Sequence, residues 1–149
     1  SSGRKVPLLV KLAPDWEDYA LVRSLEVIRE QDVQGIVATN TTLARPVLQS
    51  RHAHETGGLS GRPLRTRATE VIRMIRQTVG LELPIIGVGG VFSGADAYEK
   101  IRAGANLVQV YSALIYQGPG LVNQLKLDLD RLLQRDGFRN VAEAVGVEC

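Results

Sequence analysis

Side chains that serve metal and thiol chemistry are scarce in this sequence: 149 residues include one cysteine, two histidines, one methionine and one tryptophan. The cysteine, Cys149, is the last residue, so it can close no internal disulfide and is expected to be a frayed, exposed thiol. His52 and His54 have the spacing of a metal-ligating pair, but no third histidine and no cysteine cluster completes a ligand set. No metal is assigned. An excess of one charge is also missing, because 18 basic and 16 acidic residues are spread along the chain for a net charge of +2. That balance carries no footprint for nucleic acid. No apolar run approaches the ~20 residues of a membrane-spanning helix, and the start has no apolar signal-peptide core. The chain itself is therefore not expected to cross a bilayer. Trp16 and Tyr19 lie outside any basic patch, so they are read as packing residues and not as a base-stacking platform.

Apolar residues make up 44% of the chain, enough for one globular domain with a real core. Residues 1–5 read as a linker end or an expression scar, and residues 6–149 as a domain that begins abruptly on a strand. Four short runs rich in Val, Ile and Leu, at 6–12, 35–39, 84–88 and 107–110, lack polar alternation and read as strands covered on both faces. Amphipathic stretches separate them. Asp15, after Pro14, is expected to cap a helix whose inner face is Leu21, Leu25 and Ile28. After Pro63 a second helix carries Ala68, Val71, Ile72, Ile75 and Val79 on one face and stops at Gly80. A third runs over 93–103 and a fourth over 121–134, while Asn140 with Glu143 has the capping-box spacing of a short closing helix.

Four βα units fit either a small doubly wound sheet or half of a (β/α)8 barrel. The unusual residues favour the barrel. Lys11, Thr39-Asn40-Thr41, Gly89-Gly90 and Tyr111-Ser112 fall at the carboxyl ends of successive strands, the rim where barrel enzymes place their chemistry. Four strands cannot close a barrel, so the native object is expected to be larger, completed by an N-terminal half or by a second copy.

Each rim motif has a chemical reading. Gly87-Val88-Gly89-Gly90-Val91 follows the buried run Leu83-Pro84-Ile85-Ile86 and precedes a helix opened by Ser93 and Asp96, which reads as a phosphate cradle. Gly57-Gly58-Leu59-Ser60-Gly61 supplies a second glycine cluster, inside a long connection over 43–62 read as an active-site flap. Thr39-Asn40-Thr41-Thr42 offers uncharged donors and acceptors suited to a planar, imide-like ring. A single Asn or Thr there would be a turn residue, but a run of four weighs against that. Lys11 can stabilise negative charge on a bound group, and snorkelling to solvent explains it equally well on position alone. Tyr111 and Ser112 either add amides to the same anion or cap the next helix, and their position favours the first.

Together, Val10-Lys11-Leu12-Ala13-Pro14-Asp15, Thr39-Asn40-Thr41-Thr42, Glu55-Thr56-Gly57-Gly58-Leu59-Ser60-Gly61, the strand running into Gly87-Val88-Gly89-Gly90-Val91, and Val108-Gln109-Val110-Tyr111-Ser112 closely resemble the dihydroorotate dehydrogenase family, in order and spacing and over nearly the whole chain. The resemblance is greatest to class 2, the membrane-associated, quinone-linked form. It implies FMN as cofactor, dihydroorotate and orotate as substrate and product, a ubiquinone-type quinone as electron acceptor, and a place in de novo pyrimidine synthesis. By position it implies that Lys11 contacts the flavin ring, that Thr39 helps to hold FMN, and that Gly61, Gly90, Tyr111 and Ser112 present backbone groups around it. Asn40 and Thr41 would bind the substrate, and Tyr111, Leu114, Ile115 and Pro119 would face the quinone tunnel. Threonine is common in the family at the positions of Ser112 and Ile115. The family's serine base lies on an earlier loop, so no catalytic residue is assigned within this chain, which is expected to be inactive alone. Membrane association would come only from an N-terminal segment, at the mitochondrial inner membrane in a eukaryote or the cytoplasmic membrane in a bacterium.

Two other readings stand beside this one. A non-catalytic half-barrel that pairs with itself and binds a phosphate-bearing ligand predicts a symmetric dimer without flavin. An aldolase or sugar-phosphate isomerase would use Lys11 as a Schiff-base lysine. The polar run after Ala38 and the flap argue against the aldolase or isomerase.

Overall fold

A computed structural model describes residues 6–46, 48 and 50–149, so the reading of residues 1–5 lies outside it. Four parallel strands, β1 (Leu9–Leu12), β2 (Gly35–Ala38), β3 (Ile85–Val88) and β4 (Leu107–Gln109), form one sheet in the order β1-β2-β3-β4. The helices are α1 (Asp18–Glu30), α2 (Arg65–Val79), α3 (Gly94–Arg102), α4 (Ser112–Gln117), α5 (Leu121–Arg135) and α6 (Val141–Ala144), and a 3-10 turn at Arg62–Leu64 leads into α2. Strict sequential order decides between the two architectures. A doubly wound sheet reverses its strand order at a switch point and covers both faces, whereas a barrel adds each strand beside the last with its helix always outside.

Burial agrees with the barrel. Leu12, Ile36, Ala38 and Ile85 point outward into a core with Leu21, Leu25 and Ile28 of α1 and Val71, Ile72, Ile75 and Val79 of α2. Full burial of each such aliphatic side chain contributes about 1.5–3 kcal/mol, so this layer carries much of the stability. The alternate residues line the concave face and stay open: Leu9 and Leu107 are 38% and 60% exposed, Lys11 and Gln109 are exposed, and Val37 and Ile86 are half-buried. Strands covered on both faces are therefore a correction. The concave face is a barrel lumen, and four strands supply only one of its walls.

The amphipathic helices follow their sequence signals. Ser93 caps α3 by accepting from the Asp96 amide at 3.2 Å, Asn140 caps α6 by accepting from the Glu143 amide at 3.3 Å, and α2 stops at Gly80. Other details differ. The first strand begins at Leu9, and Val6 and Leu8 are 78% and 57% exposed, because β1 is an edge with a neighbour on one side only. Tyr19 is 77% exposed and does not pack, whereas Trp16, just before α1, is 38% exposed and only partly covered. Asp15 does not cap α1, which begins after Glu17 without a side-chain cap, and its carboxylate turns to the loop after β2. Helix α4 has no counterpart in the sequence reading, since six residues are too few to establish a period. Cys149 is exposed yet not frayed, because its amide donates to the Gly146 carbonyl and its thiol to the Ala103 carbonyl at 3.3 Å.

At the amino ends of the strands, the buried Arg76 guanidinium donates to the Gly104 carbonyl at 2.7 and 3.0 Å and to Asn106 Oδ1 at 2.6 Å. It fastens α2 to the turn before β4, which leaves the opposite, carboxyl end free for a site. Among the described residues no helix is long and apolar enough to cross a membrane.

Candidate functional site

The carboxyl ends of all four strands open into one cleft, and its lining includes Lys11, Thr39, Asn40, Thr41, Gly61, Gly90, Tyr111 and Ser112. All eight residues singled out in the sequence are thus brought together. Lys11 reaches the cleft from the concave face of β1, and among the described residues its ammonium has no ion-pair partner.

Thr39 is 2% exposed at the end of β2; its amide donates to the Val88 carbonyl at 3.0 Å and its hydroxyl to the Asn40 carbonyl at 2.9 Å. The peptide joining Ala38 to Thr39 is cis. Asn40 continues the ladder, its amide donating to the Leu12 carbonyl at 2.7 Å, while its side-chain oxygen accepts from the Thr41 amide at 2.9 Å. The side-chain amide nitrogen of Asn40 and the Thr41 side chain remain available at the cleft.

The two glycine clusters do different work. Gly90 has φ +71°, and a Cβ there would lie 2.5–2.8 Å from the Arg65 backbone and Cβ, so the loop can sit against the start of α2 only without a side chain. Gly61, with φ +81°, has the opposite surroundings: a Cβ would project toward open space, 3.9 Å from Phe92 and Ser112. Gly90 closes the loop onto the scaffold, and Gly61 keeps the cleft empty.

Charged residues behind the cleft hold this arrangement. Arg65 pairs with Asp96 at 2.8 Å and with Glu99 at 2.5 Å, and the hydrogen bond it donates to Glu99 raises the guanidinium's pKa above its ordinary value. Asp96, 3% exposed, also accepts from the Phe92 amide at 2.9 Å, so one carboxylate joins the glycine loop to α2. Lys100 lies fully buried beneath them with the Thr69 hydroxyl 3.1 Å away, and burial brings its pKa down to about 8. On the other side, the Asp15 carboxylate takes hydrogen bonds from the Thr42 hydroxyl and from the Leu43 amide at 2.9 Å. Partial burial pulls its pKa up, but these bonds, with Arg67 nearby, outweigh it and hold the pKa below the usual carboxylate value.

Tyr111 and Ser112 form the fourth wall and also start α4; Tyr111 occupies the cap position without a side-chain capping bond, and the Ser112 hydroxyl lies 2.9 Å from that of Ser60. Of the residues read as facing a quinone tunnel, Tyr111 and Ile115 are exposed beside the cleft and Leu114 is half-buried against α5. Sequence reasoning missed Ser60, Phe92 and Gln109 in the lining. Gln109 was legible, since it follows the same inward parity as Lys11, whereas Ser60 and Phe92 enter only through the path of their loops. His52 and His54 lie exposed on the long loop, away from the cleft, with His52 Nδ1 2.6 Å from Glu55.

Chemically, the cleft offers one cation, several neutral donors and acceptors, and glycine-shaped space. Among the described residues lining it there is no carboxylate and no imidazole. It can bind a phosphate-bearing, ring-containing molecule, but it contains no evident general base.

Comparison with known proteins gives a consistent result. The chain is 55% identical over 145 residues to the dihydroorotate dehydrogenase (quinone) of Xanthobacter autotrophicus, covering 97% of this chain and 41% of that protein. It is 48% identical over 143 residues to the dihydroorotate dehydrogenase (quinone) of Haloarcula marismortui, covering 95% and 40%. The solved structure of the Eimeria tenella dihydroorotate dehydrogenase in complex with ferulenol matches 99% of this chain and 39% of its own length, with TM-score 0.94 and 40% identity. The chain thus spans about two fifths of the length of the curated relatives it matches. The dihydroorotate dehydrogenase family model matches residues 1–133, and with sequence, fold and cleft in agreement, the chain belongs to the dihydroorotate dehydrogenase family.

Proposed function

We propose that this chain is the carboxyl-terminal half of a quinone-linked dihydroorotate dehydrogenase barrel, supplying cofactor and substrate contacts while an N-terminal half supplies the base. The convergence of Lys11, Thr39, Asn40, Thr41, Gly61, Gly90, Tyr111 and Ser112 on one cleft is the observation that carries this reading. The open concave face and the two sheet edges that have no strand partner among the described residues support completion by a second half.

The residues present fit FMN. Gly61 leaves space that a side chain would fill, and Gly61, Gly90, Tyr111 and Ser112 surround it with backbone groups suited to a phosphate. Lys11, which among the described residues has no ion-pair partner, would supply positive charge toward the cofactor and so stabilise negative charge on it. Thr39 fixes the end of β2 at the cleft and would help to hold the cofactor there. Asn40 and Thr41 bind the dihydroorotate ring through neutral hydrogen bonds, which orient it without altering its charge. When bound, FMN supplies the hydride acceptor for oxidation of dihydroorotate to orotate, a step of pyrimidine synthesis, and a quinone takes up the electrons.

The absence of any carboxylate or imidazole from the described lining supports a base located upstream. Membrane association follows from the same upstream part, at the mitochondrial inner membrane in a eukaryote or the cytoplasmic membrane in a bacterium. Purification of the chain alone and together with an N-terminal half of the family tests the reading. The assembled barrel is expected to retain flavin and to reduce quinone with dihydroorotate, and the chain alone to do neither. Turnover by the chain alone would contradict the assignment of the base, and a stable, flavin-free dimer would favour the self-pairing half-barrel.

A further inference from the structure

The connection from β2 to α2 leaves the cleft along Thr41 to Pro46 and returns along Glu55 to Gly61, and one side chain joins its two arms. Arg45 Nη1 donates to the outgoing carbonyls of Leu43 at 3.2 Å, Ala44 at 3.3 Å and Thr42 at 3.4 Å. Its Nη2 donates to the returning carbonyls of Glu55 at 3.1 Å and Gly57 at 2.5 Å. Thr42 and Leu59 pair directly beyond it, through amide-to-carbonyl bonds of 3.1 and 2.8 Å.

The next residue on the returning arm, Gly58, bears on the site itself. A Cβ at Gly58 would lie 1.9 Å from Thr41 Oγ1 and 2.5 Å from Thr41 Cβ, so the bare backbone of the returning arm rests on the Thr41 side chain. Placement of Thr41 therefore depends on the height of that arm, and Arg45 sets the height by binding the carbonyl immediately before Gly58. A planar guanidinium spreads its donors over two nitrogens, one facing each arm, whereas an ammonium presents all of its donors from a single point.

We propose that Arg45 is a positioning residue for substrate binding, holding Gly58 against Thr41 so that Asn40 and Thr41 present their hydrogen-bonding groups at the correct depth. The proposal rests on the reading of Asn40 and Thr41 as substrate contacts. It concerns neither cofactor retention nor the chemical step.

The test uses the assembled barrel and measures flavin content, orotate affinity by titration, and KM and kcat for dihydroorotate. Arg45→Ala is expected to weaken orotate binding and to raise KM by ~tenfold or more, with flavin content unchanged. Arg45→Lys, which keeps the charge but presents its donors from one point, is expected to recover part of that loss. Gly58→Ala displaces Thr41 directly and is expected to give the same split if Arg45→Ala does not fold. Orotate affinity within about twofold of the parent protein in Arg45→Ala, or in Gly58→Ala where Arg45→Ala does not fold, overturns the proposal, as does parallel loss of flavin and orotate, which marks a merely structural role. A parent barrel that binds flavin but no orotate overturns the underlying reading, and this inference with it.

Discussion

The Asp15 carboxylate accepts from the Thr42 hydroxyl and, through its other oxygen, from the Leu43 amide at 2.9 Å, tying the exit of β1 to the exit of β2. Lys11 lies four residues before this link and Thr41 immediately before its partner, so the link fixes the spacing of two walls of the cleft.

Replacement of Asp15 by Asn is expected to cost about 1 kcal/mol of stability at neutral pH, the usual net worth of such hydrogen bonds at an exposed site. Because the folded-state pKa is lowered, the contribution is present above the unfolded value near 3.8 and is lost as pH falls through the folded value. Melting curves of the parent barrel and the variant should converge in acid. A difference that persists in strong acid would show that the carboxylate's charge is not what stabilises the link.

The glycine pair separates scaffold from site. Gly61→Ala costs about 1–3 kcal/mol, because φ +81° with ψ −155° is a conformation nearly reserved for glycine, and it places a methyl in the cleft, so the variant is expected to fold but to lose flavin affinity. Gly90→Ala adds collision with the Arg65 backbone and is expected to lose more than about 3 kcal/mol. Denaturant melts with flavin quantitation read both effects, and equal stability of the two variants would contradict the distinction.

Arg65→Met leaves the nearly buried Asp96 without its cation, although the Phe92 amide still donates to it. With the Arg65 side chain 42% exposed, the loss is expected to be about 2 kcal/mol, below that of a fully buried pair. Adding Asp96→Asn should recover part of the loss, and a double variant no better than Arg65→Met would exclude a charge-pair origin.

Lys100 is fully buried, with a folded pKa of about 8 against an ordinary 10.5. Between those values the unfolded chain binds a proton that the folded chain does not, so stability rises with pH from about 8 to 10.5 and is lower below that window. Lys100→Met is expected to be more stable than the parent at neutral pH, by up to ~3 kcal/mol, with the advantage shrinking over that window. An advantage independent of pH would contradict the burial argument.

The fold was legible where one physical rule dominates. Periodicity of Val71, Ile72, Ile75 and Val79 fixed α2, Ser93 with Asp96 fixed the start of α3, and polar residues at successive strand ends located the rim. What escaped depended on tertiary partners. Asp15 has the right type and place for a helix cap, but the Thr42 hydroxyl and the Leu43 amide compete for its carboxylate and win. Leu9 and Leu107 have the composition of buried strand residues, but they lie on the concave face of the sheet, which no described element covers. Arg45 carries no local signal, because its carbonyl partners come together only when the loop folds back.

Visible absorption of the assembled barrel, measured beside that of the chain alone, tests the central claim most directly. One tightly held flavin per assembled barrel, lost in Gly61→Ala and absent from the chain alone, is the result this account predicts. An assembled, folded barrel that carries no flavin, or one whose flavin is indifferent to Gly61, would contradict it.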